Sequence, residues 1–159
     1  MANEVEQYLT AHEIAYVRYE FPWTLDDSDT ARLKAEELNV PHETIYKTLV
    51  LKGDKTGVVI ALVPLDSRLD YKKTAKATGN RKIGFPPMEF VLEHTGYEHG
   101  ANTPIGIYMH HPEYTLVFDA SVNAHEKIIL SSGEIGHSVE VATKSLITLL
   151  QPVVAEIQK

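Results

Sequence analysis

The stretch from Ile45 to Pro64 constrains the fold of this chain more than any other. Ile45-Tyr46-Lys47-Thr48-Leu49-Val50-Leu51 is a run of β-branched, aromatic and aliphatic residues broken only by one lysine. Gly53-Asp54-Lys55-Thr56-Gly57 follows as a turn, and Val58-Val59-Ile60-Ala61-Leu62-Val63-Pro64 is apolar at every position. Two such runs about one turn predict a β-hairpin, and an all-apolar strand predicts a central position covered on both faces. Side chains of a strand alternate faces, so Ile45, Lys47, Leu49 and Leu51 share one face. Tyr46, Thr48, Val50 and Lys52 share the other, which reads as partly wet. Lys47 therefore points with the most apolar residues of its strand. Burial of an ammonium lowers its pKa, so Lys47 either has partners or a cleft, or snorkels out at the sheet edge.

Other elements order themselves around this hairpin. Val5, Tyr8, Leu9 and His12 make one stripe of a helix over residues 2–12, and residues 14–19 read as a strand. Phe21-Pro22-Trp23-Thr24-Leu25-Asp26-Asp27 is an aromatic loop, serving either as a ligand surface or as a lid on the core. Ser28 or Asp29 caps a helix to Leu38. Asp70 caps a helix through Thr78, with Gly79 at its C′ position. Ile83 to Phe85 is a short strand. Pro87 opens a helix with Val91, Leu92 and Thr95 inside and Gly96 at its end. Strands are expected over residues 114–118, 127–130 and 138–142. A helix capped by Thr143 runs to Leu150, and residues 152–157 form a closing strand or tail. Strands outnumber helices and hairpins outnumber βαβ units. The fold class is therefore α+β, a curled, barrel-like, mixed and mostly antiparallel sheet flanked by helices, in a single domain over residues 1–159.

Composition narrows the function. With 159 residues, 43% hydrophobic and 23% charged, the chain can bury a sizeable core. It has no cysteine, which excludes disulfides, thiolate metal sites and a cysteine nucleophile, and fits a reducing cytoplasm. No signal peptide and no membrane span is expected. A formal net charge of −7 argues against a general nucleic-acid coat, though a local basic patch remains compatible with contact to one end of a nucleic acid. Lys72, Lys73, Lys76, Arg81 and Lys82 are such a patch, either solvated or set against phosphates. His94, His99, His110 and His111 match no ligand spacing, so no metal is expected.

Gly96-Tyr97-Glu98-His99-Gly100-Ala101-Asn102-Thr103-Pro104-Ile105-Gly106 holds three glycines and a proline in eleven positions. Its backbone can approach a ligand closely, and successive N–H groups can converge on one anion or carbonyl oxygen. Alternatively it is a tight connection between helix and strand.

Several segments together resemble the YbaK/EbsC family of aminoacyl-tRNA deacylases. They are Tyr46-Lys47-Thr48-Leu49-Val50, Val59 to Pro64, Leu69 to Gly79, Thr95-Gly96-Tyr97-x-x-Gly100 with Pro104-Ile105-Gly106, and Ile128 to Gly133 followed by Gly136-His137-Ser138-Val139-Glu140. The resemblance covers Ile45 to Val141. It implies a trans-editing enzyme of translation, related to the insertion domain of some bacterial prolyl-tRNA synthetases, that removes cysteine from tRNA for proline. The partners implied are the acceptor end of misacylated tRNA and prolyl-tRNA synthetase, with no cofactor.

By the same resemblance Lys47 is the essential lysine and Gly100, Ala101, Asn102, Thr103 and Pro104 form the substrate loop. Phe21, Asp119, Ser132 and Gly133 are further substrate contacts, and Lys72, Lys73 and Lys76 meet tRNA. Asp119 orients a pocket group or caps the following turn. Relatives often carry a second glycine where Ala101 stands and an apolar residue at Asn102. They carry basic residues near Ile107 to His111 and at Glu134-Ile135. In the cysteine-specific branch the substrate's thiol attacks its own ester, so the protein positions and polarises; no Ser-His-Asp or Cys-His set is evident. Two rival classes stay open: a module that binds an aminoacyl-adenosine or tRNA 3′ end without cleaving it, and a Schiff-base enzyme using Lys47.

Overall fold

The structure is a computed structural model that describes residues 2–20, 39–98 and 100–159. Phe21 and the helix expected to end at Leu38 lie outside these residues, as does His99. Eight strands are described: β1 (Tyr16–Glu20), β2 (Tyr46–Gly53), β3 (Gly57–Pro64), β4 (Ile83–Gly84), β5 (Thr115–Asp119), β6 (Lys127–Ser131), β7 (His137–Ala142) and β8 (Val153–Ala155). The α-helices among the described residues are α1 (Glu4–Ala11), α2 (Tyr71–Thr78), α3 (Met88–Thr95), α4 (Pro104–His110) and α5 (Thr143–Leu150).

The predicted hairpin forms, with β2 and β3 antiparallel and Lys47 opposite Val63. It sits inside a five-stranded sheet of order β4-β2-β3-β5-β8, in which β3–β5 and β5–β8 are parallel. A second, antiparallel sheet has the order β1-β7-β6. The two meet at a parallel bridge between Ile45 and Ile129. The α+β class and mixed pairing are as expected. The described strands form two sheets joined at this bridge, not a closed barrel.

Both faces of the hairpin are covered. Tyr46 and Val50, on the face expected to be partly wet, belong to the largest core cluster, with Ile60, Leu62, Phe118, Leu130 and Val139. Helices α1, α4 and α5 cover this side through Val5, Leu9, Ile105, Ile107, Leu146 and Leu150. The phenol of Tyr46 tolerates full burial because its hydroxyl meets Ser121 Oγ at 2.8 Å. On the opposite face Leu51, Val59, Ala61, Val63 and Val117 pack with Leu69 and Ile157.

Local chemistry explains most helix limits. Asp70 accepts from Lys73 N at 2.9 Å and Gly79 ends α2 in the left-handed conformation. Thr143 is the first residue of α5 instead of its cap, because its hydroxyl donates to His125 O at 2.7 Å. Leu92 is 54% exposed, not inside α3. Helix α4 was not expected: its glycine and β-branched residues mask it, although Thr103-Pro104 is an N-cap followed by proline at N1.

Helix α1 carries a capping box. Asn3 Oδ1 accepts from Glu6 N at 2.9 Å, and Asn3 N donates to Glu6 Oε1 at 2.8 Å. The Glu6 carboxylate, 1% exposed, also accepts two bonds from Arg18 at 2.7 Å. The Arg18 guanidinium holds this carboxyl below its usual pKa, against the effect of burial. A depressed folded pKa means the stabilisation is present above the unfolded pKa and is lost as pH falls through the folded one. Glu6→Gln should cost about 1.5–3 kcal/mol near pH 7. The difference from wild type should shrink as acid protonates Glu6, a trend that thermal melts across pH will check.

Candidate functional site

Strand pairing places the Lys47 side chain in a row that crosses both sheets. Tyr19 pairs with Ser138, and Ser138 pairs with Ser131. Two residues beyond the Ile45–Ile129 bridge on each strand come Lys47 and Ser131. Lys47 pairs with Val63, and the step after the Leu62–Phe118 pair brings Val63 level with Asp119. Paired residues share a face. Lys47, Ser131, Ser138 and Asp119 therefore project from the face opposite the largest core cluster.

Lys47 is half-buried, and its ammonium donates to the Ser67 carbonyl at 2.7 Å. That carbonyl belongs to the turn between β3 and α2, so the amine is held over the sheet and not released into bulk solvent. Ser131, its neighbour in the row, donates to Ala101 O at 3.2 Å and accepts from Gly133 N at 3.4 Å. One hydroxyl thus ties the glycine-bearing loop and the following turn to the row that holds Lys47.

The loop backbone is itself built for close approach. Gly100 turns it at φ +86°, a region that side chains with a Cβ avoid. Ala101 N–H is spent on Glu98 O at 2.9 Å. The N–H groups of Asn102 and Thr103, both in buried residues, find no acceptor among the described residues. Paired N–H groups are the rule for buried backbone, so these two donors, without an acceptor among the described residues, are the loop's candidates for meeting a ligand oxygen. Thr103 caps α4, its hydroxyl accepting from Gly106 N at 3.4 Å, and Pro104 occupies the first turn. Asn102 does not offer its amide oxygen to a ligand: Oδ1 accepts from Thr95 Oγ at 2.9 Å and fastens the loop to the end of α3.

The remaining expected residues separate. Asp119 caps the short 3₁₀ turn after β5. Its carboxylate accepts from Ser121 N at 3.1 Å, Ile157 N at 3.0 Å and Gln158 Nε2 at 2.7 Å. Burial raises the pKa of this acid, yet these bonds outweigh it and leave the pKa lowered. Its charge is spent on the C-terminal tail. Ser132 Oγ accepts from Asn3 Nδ2 at 3.1 Å, so it serves α1, while its neighbour Ser131 faces the Lys47 row. Ser131 was missed as a site residue. Its two-residue spacing from Ile129 in β6 is the signal that finds it once the sheet partner is known. Ser138, fully buried, has no partner for its hydroxyl among the described residues. Of the four histidines singled out in the sequence, the three described ones have separate partners: His94 Nδ1 meets Phe90 O at 2.9 Å, His110 Nε2 meets Glu4 at 2.7 Å, and His111 Nδ1 meets Glu113 at 3.3 Å. Lys72 and Lys76 are exposed on α2, whereas Lys73 reaches Gln158 O at 3.1 Å and Glu156 at 3.5 Å.

Comparison with known proteins adds the family. The model of the aminoacyl-tRNA editing domain matches residues 26–149. The chain belongs to the aminoacyl-tRNA editing domain family. It is 36% identical over 146 residues to EbsC of Enterococcus faecalis, a protein named as a proposed Cys-tRNA(Pro)/Cys-tRNA(Cys) deacylase. That match covers 92% of this chain and 87% of EbsC. A proline–tRNA ligase of Thermosipho africanus is 39% identical over 77 residues, which are 48% of this chain and 14% of the ligase. The crystal structure of a proposed trans-editing enzyme for prolyl tRNA synthetase has the same fold, with a TM-score of 0.78 at 22% identity. That likeness covers 100% of this chain and 99% of the other.

Within this family member the loop depends on one close contact. A Cβ at Gly106 would strike the Tyr97 hydroxyl and lie 2.6 Å from Thr103 Cγ2. The Tyr97 phenol is buried enough for its pKa to be pushed up to about 12, with the Glu4 charge adding to the effect. Gly106→Ala should therefore destabilise by about 1–3 kcal/mol. Adding Tyr97→Phe should recover part of the loss in a double-mutant cycle read by thermal denaturation.

Proposed function

We propose that this chain is a trans-editing aminoacyl-tRNA deacylase that cleaves the ester of misacylated tRNA, with Cys-tRNA(Pro) its foremost substrate. The observation that carries the reading is the Lys47 ammonium in one row with the Ser131 hydroxyl that holds the Gly100 to Pro104 loop. Family membership and the name of EbsC support the substrate class.

The ester to be broken joins an amino acid to the terminal ribose. Attack on its carbonyl carbon puts negative charge on the carbonyl oxygen. The unpaired N–H groups of Asn102 and Thr103 stabilise that charge, and such a donor typically contributes about 10²–10³ in rate. Lys47 binds the ribose hydroxyls or phosphate of the terminal adenosine, or steadies the developing charge. With a cysteinyl ester, the substrate's thiol sulfur attacks the carbonyl. The carbon–oxygen bond to ribose breaks, and the thiol proton ends on the ribose oxygen. This route needs no nucleophile from the protein. Ala101, Thr103, Pro104 and Gly133 shape the pocket for the amino acid. The partial match to a proline–tRNA ligase supports prolyl-tRNA synthetase as the partner that delivers tRNA.

A panel of mischarged tRNAs tests this reading. Wild type should clear Cys-tRNA(Pro) fastest, and Lys47→Ala should slow it by about 10²-fold or more. Equal clearance by both proteins for every charged tRNA would sink it. Binding of a non-hydrolysable aminoacyl-adenosine without any ester turnover would show a binding module instead.

A further inference from the structure

The segment from Tyr71 to Lys82 holds five of the chain's fifteen basic residues and none of its twenty-two acidic ones. In a chain of net charge −7 this is a sharp local reversal of sign. Its surface also carries two exposed aromatic rings. Tyr71 is 45% and Phe85 54% exposed, and their rings meet edge to face with centroids 5.9 Å apart. Such a pair leaves an open ring face. Exposed aromatics interleaved with cations are the chemistry that binds single-stranded nucleic acid, bases stacking on rings while ammonium and guanidinium groups follow the phosphates.

The surface is held rigidly. Asp54 in the β2–β3 turn accepts from Arg81 N at 2.9 Å and Lys82 N at 3.1 Å. Buried Asn80 accepts from Lys55 N and Thr56 N at 2.8 and 3.0 Å and donates to Thr56 and Thr78. Lys73 is drawn off to the C-terminal tail, leaving Lys72 and Lys76 one turn apart along α2. The cations run from the ring pair to the far end of an eight-residue helix, about 12 Å. Ser67, whose carbonyl holds Lys47, lies four residues before Tyr71, a span of at most about 14 Å. The ring pair is thus a few nucleotides from the proposed scissile ester.

We propose that Tyr71 and Phe85 form a stacking platform for an unpaired base of the RNA substrate, with Lys72, Lys76, Arg81 and Lys82 neutralising the phosphates beside it. The platform rests on the deacylase reading for the identity of the RNA. It adds a base-stacking site, remote from the ester, that binds the single-stranded end.

The test uses the full chain and two RNA probes: an acceptor-stem minihelix with a single-stranded 3′ overhang, and the same stem blunt-ended. Tyr71→Ala and Phe85→Ala should each weaken binding of the overhang probe by roughly 5- to 150-fold and leave the blunt probe little changed. Tyr71→Phe should bind as wild type. Lys76→Gln and Arg81→Gln should each reduce the slope of log affinity against log salt by about 0.7–0.9. Unchanged overhang binding by both alanine variants, with folding confirmed by circular dichroism, overturns the platform. So does an equal loss on both probes, or a loss only of binding to a protein partner. Clearance of mischarged tRNA by wild type, measured alongside, separates the two readings. Activity with unaltered aromatic variants removes the platform alone, and no activity removes the deacylase reading.

Discussion

The bridge between Ile45 and Ile129 is the contact on which the site depends. It joins a three-stranded sheet to a five-stranded one, and both isoleucines are fully buried with Leu65 in a small cluster of their own. The Leu65 N–H donates to the Ile45 carbonyl at 2.9 Å and pins the end of β3 to the same point. A slip of one residue at this bridge would turn Lys47 or Ser131 to the opposite face, because strand side chains alternate. Dense apolar packing on both faces makes such a slip costly. The position of one ammonium over the sheet is thus set by aliphatic side chains that do no chemistry.

The polar groups around the row mostly serve one another. Ser131 holds Ala101 and Gly133, Thr95 holds Asn102, and Asn3 holds Ser132 from the first turn of α1. The capping box and the Glu6–Arg18 fork in turn anchor that helix against β1. Buried polar networks of this kind rigidify a loop when every member is satisfied. Among the described residues, two loop N–H groups and the hydroxyls of Thr48 and Ser138 stay without a partner. A loop held by its side chains and open at its backbone suits recognition of a carbonyl oxygen, an atom common to every aminoacyl ester.

Asn102 illustrates how a departure from a family pattern can mislead when read alone. In sequence it adds a polar group to a pocket loop. In the structure its amide oxygen faces Thr95, so it bears on loop position more than on pocket polarity. Lys73 is similar: one of three lysines on a basic helix, it is bound to the chain's own tail. Exposed cations look alike in sequence, and only the neighbouring backbone separates those free to meet a ligand from those already engaged.

Local patterns in the sequence were enough for the hairpin, for α2 with its Asp70 cap and Gly79 stop, and for Lys47 on an apolar face. Turn residues, caps and period-two alternation act within a few residues, so they are legible without tertiary contacts. Helix α4 was hidden by Gly106 and its β-branched neighbours, although Thr103-Pro104 marked its start. That the Tyr46 face of β2 is covered could not be read, since α1, α4 and α5 come from distant parts of the chain to cover it. The partnership of Ser131 with Lys47, and the loss of Asp119 to the tail, were decided only by folding. Both depend on pairings across long sequence separations, which local propensity does not encode.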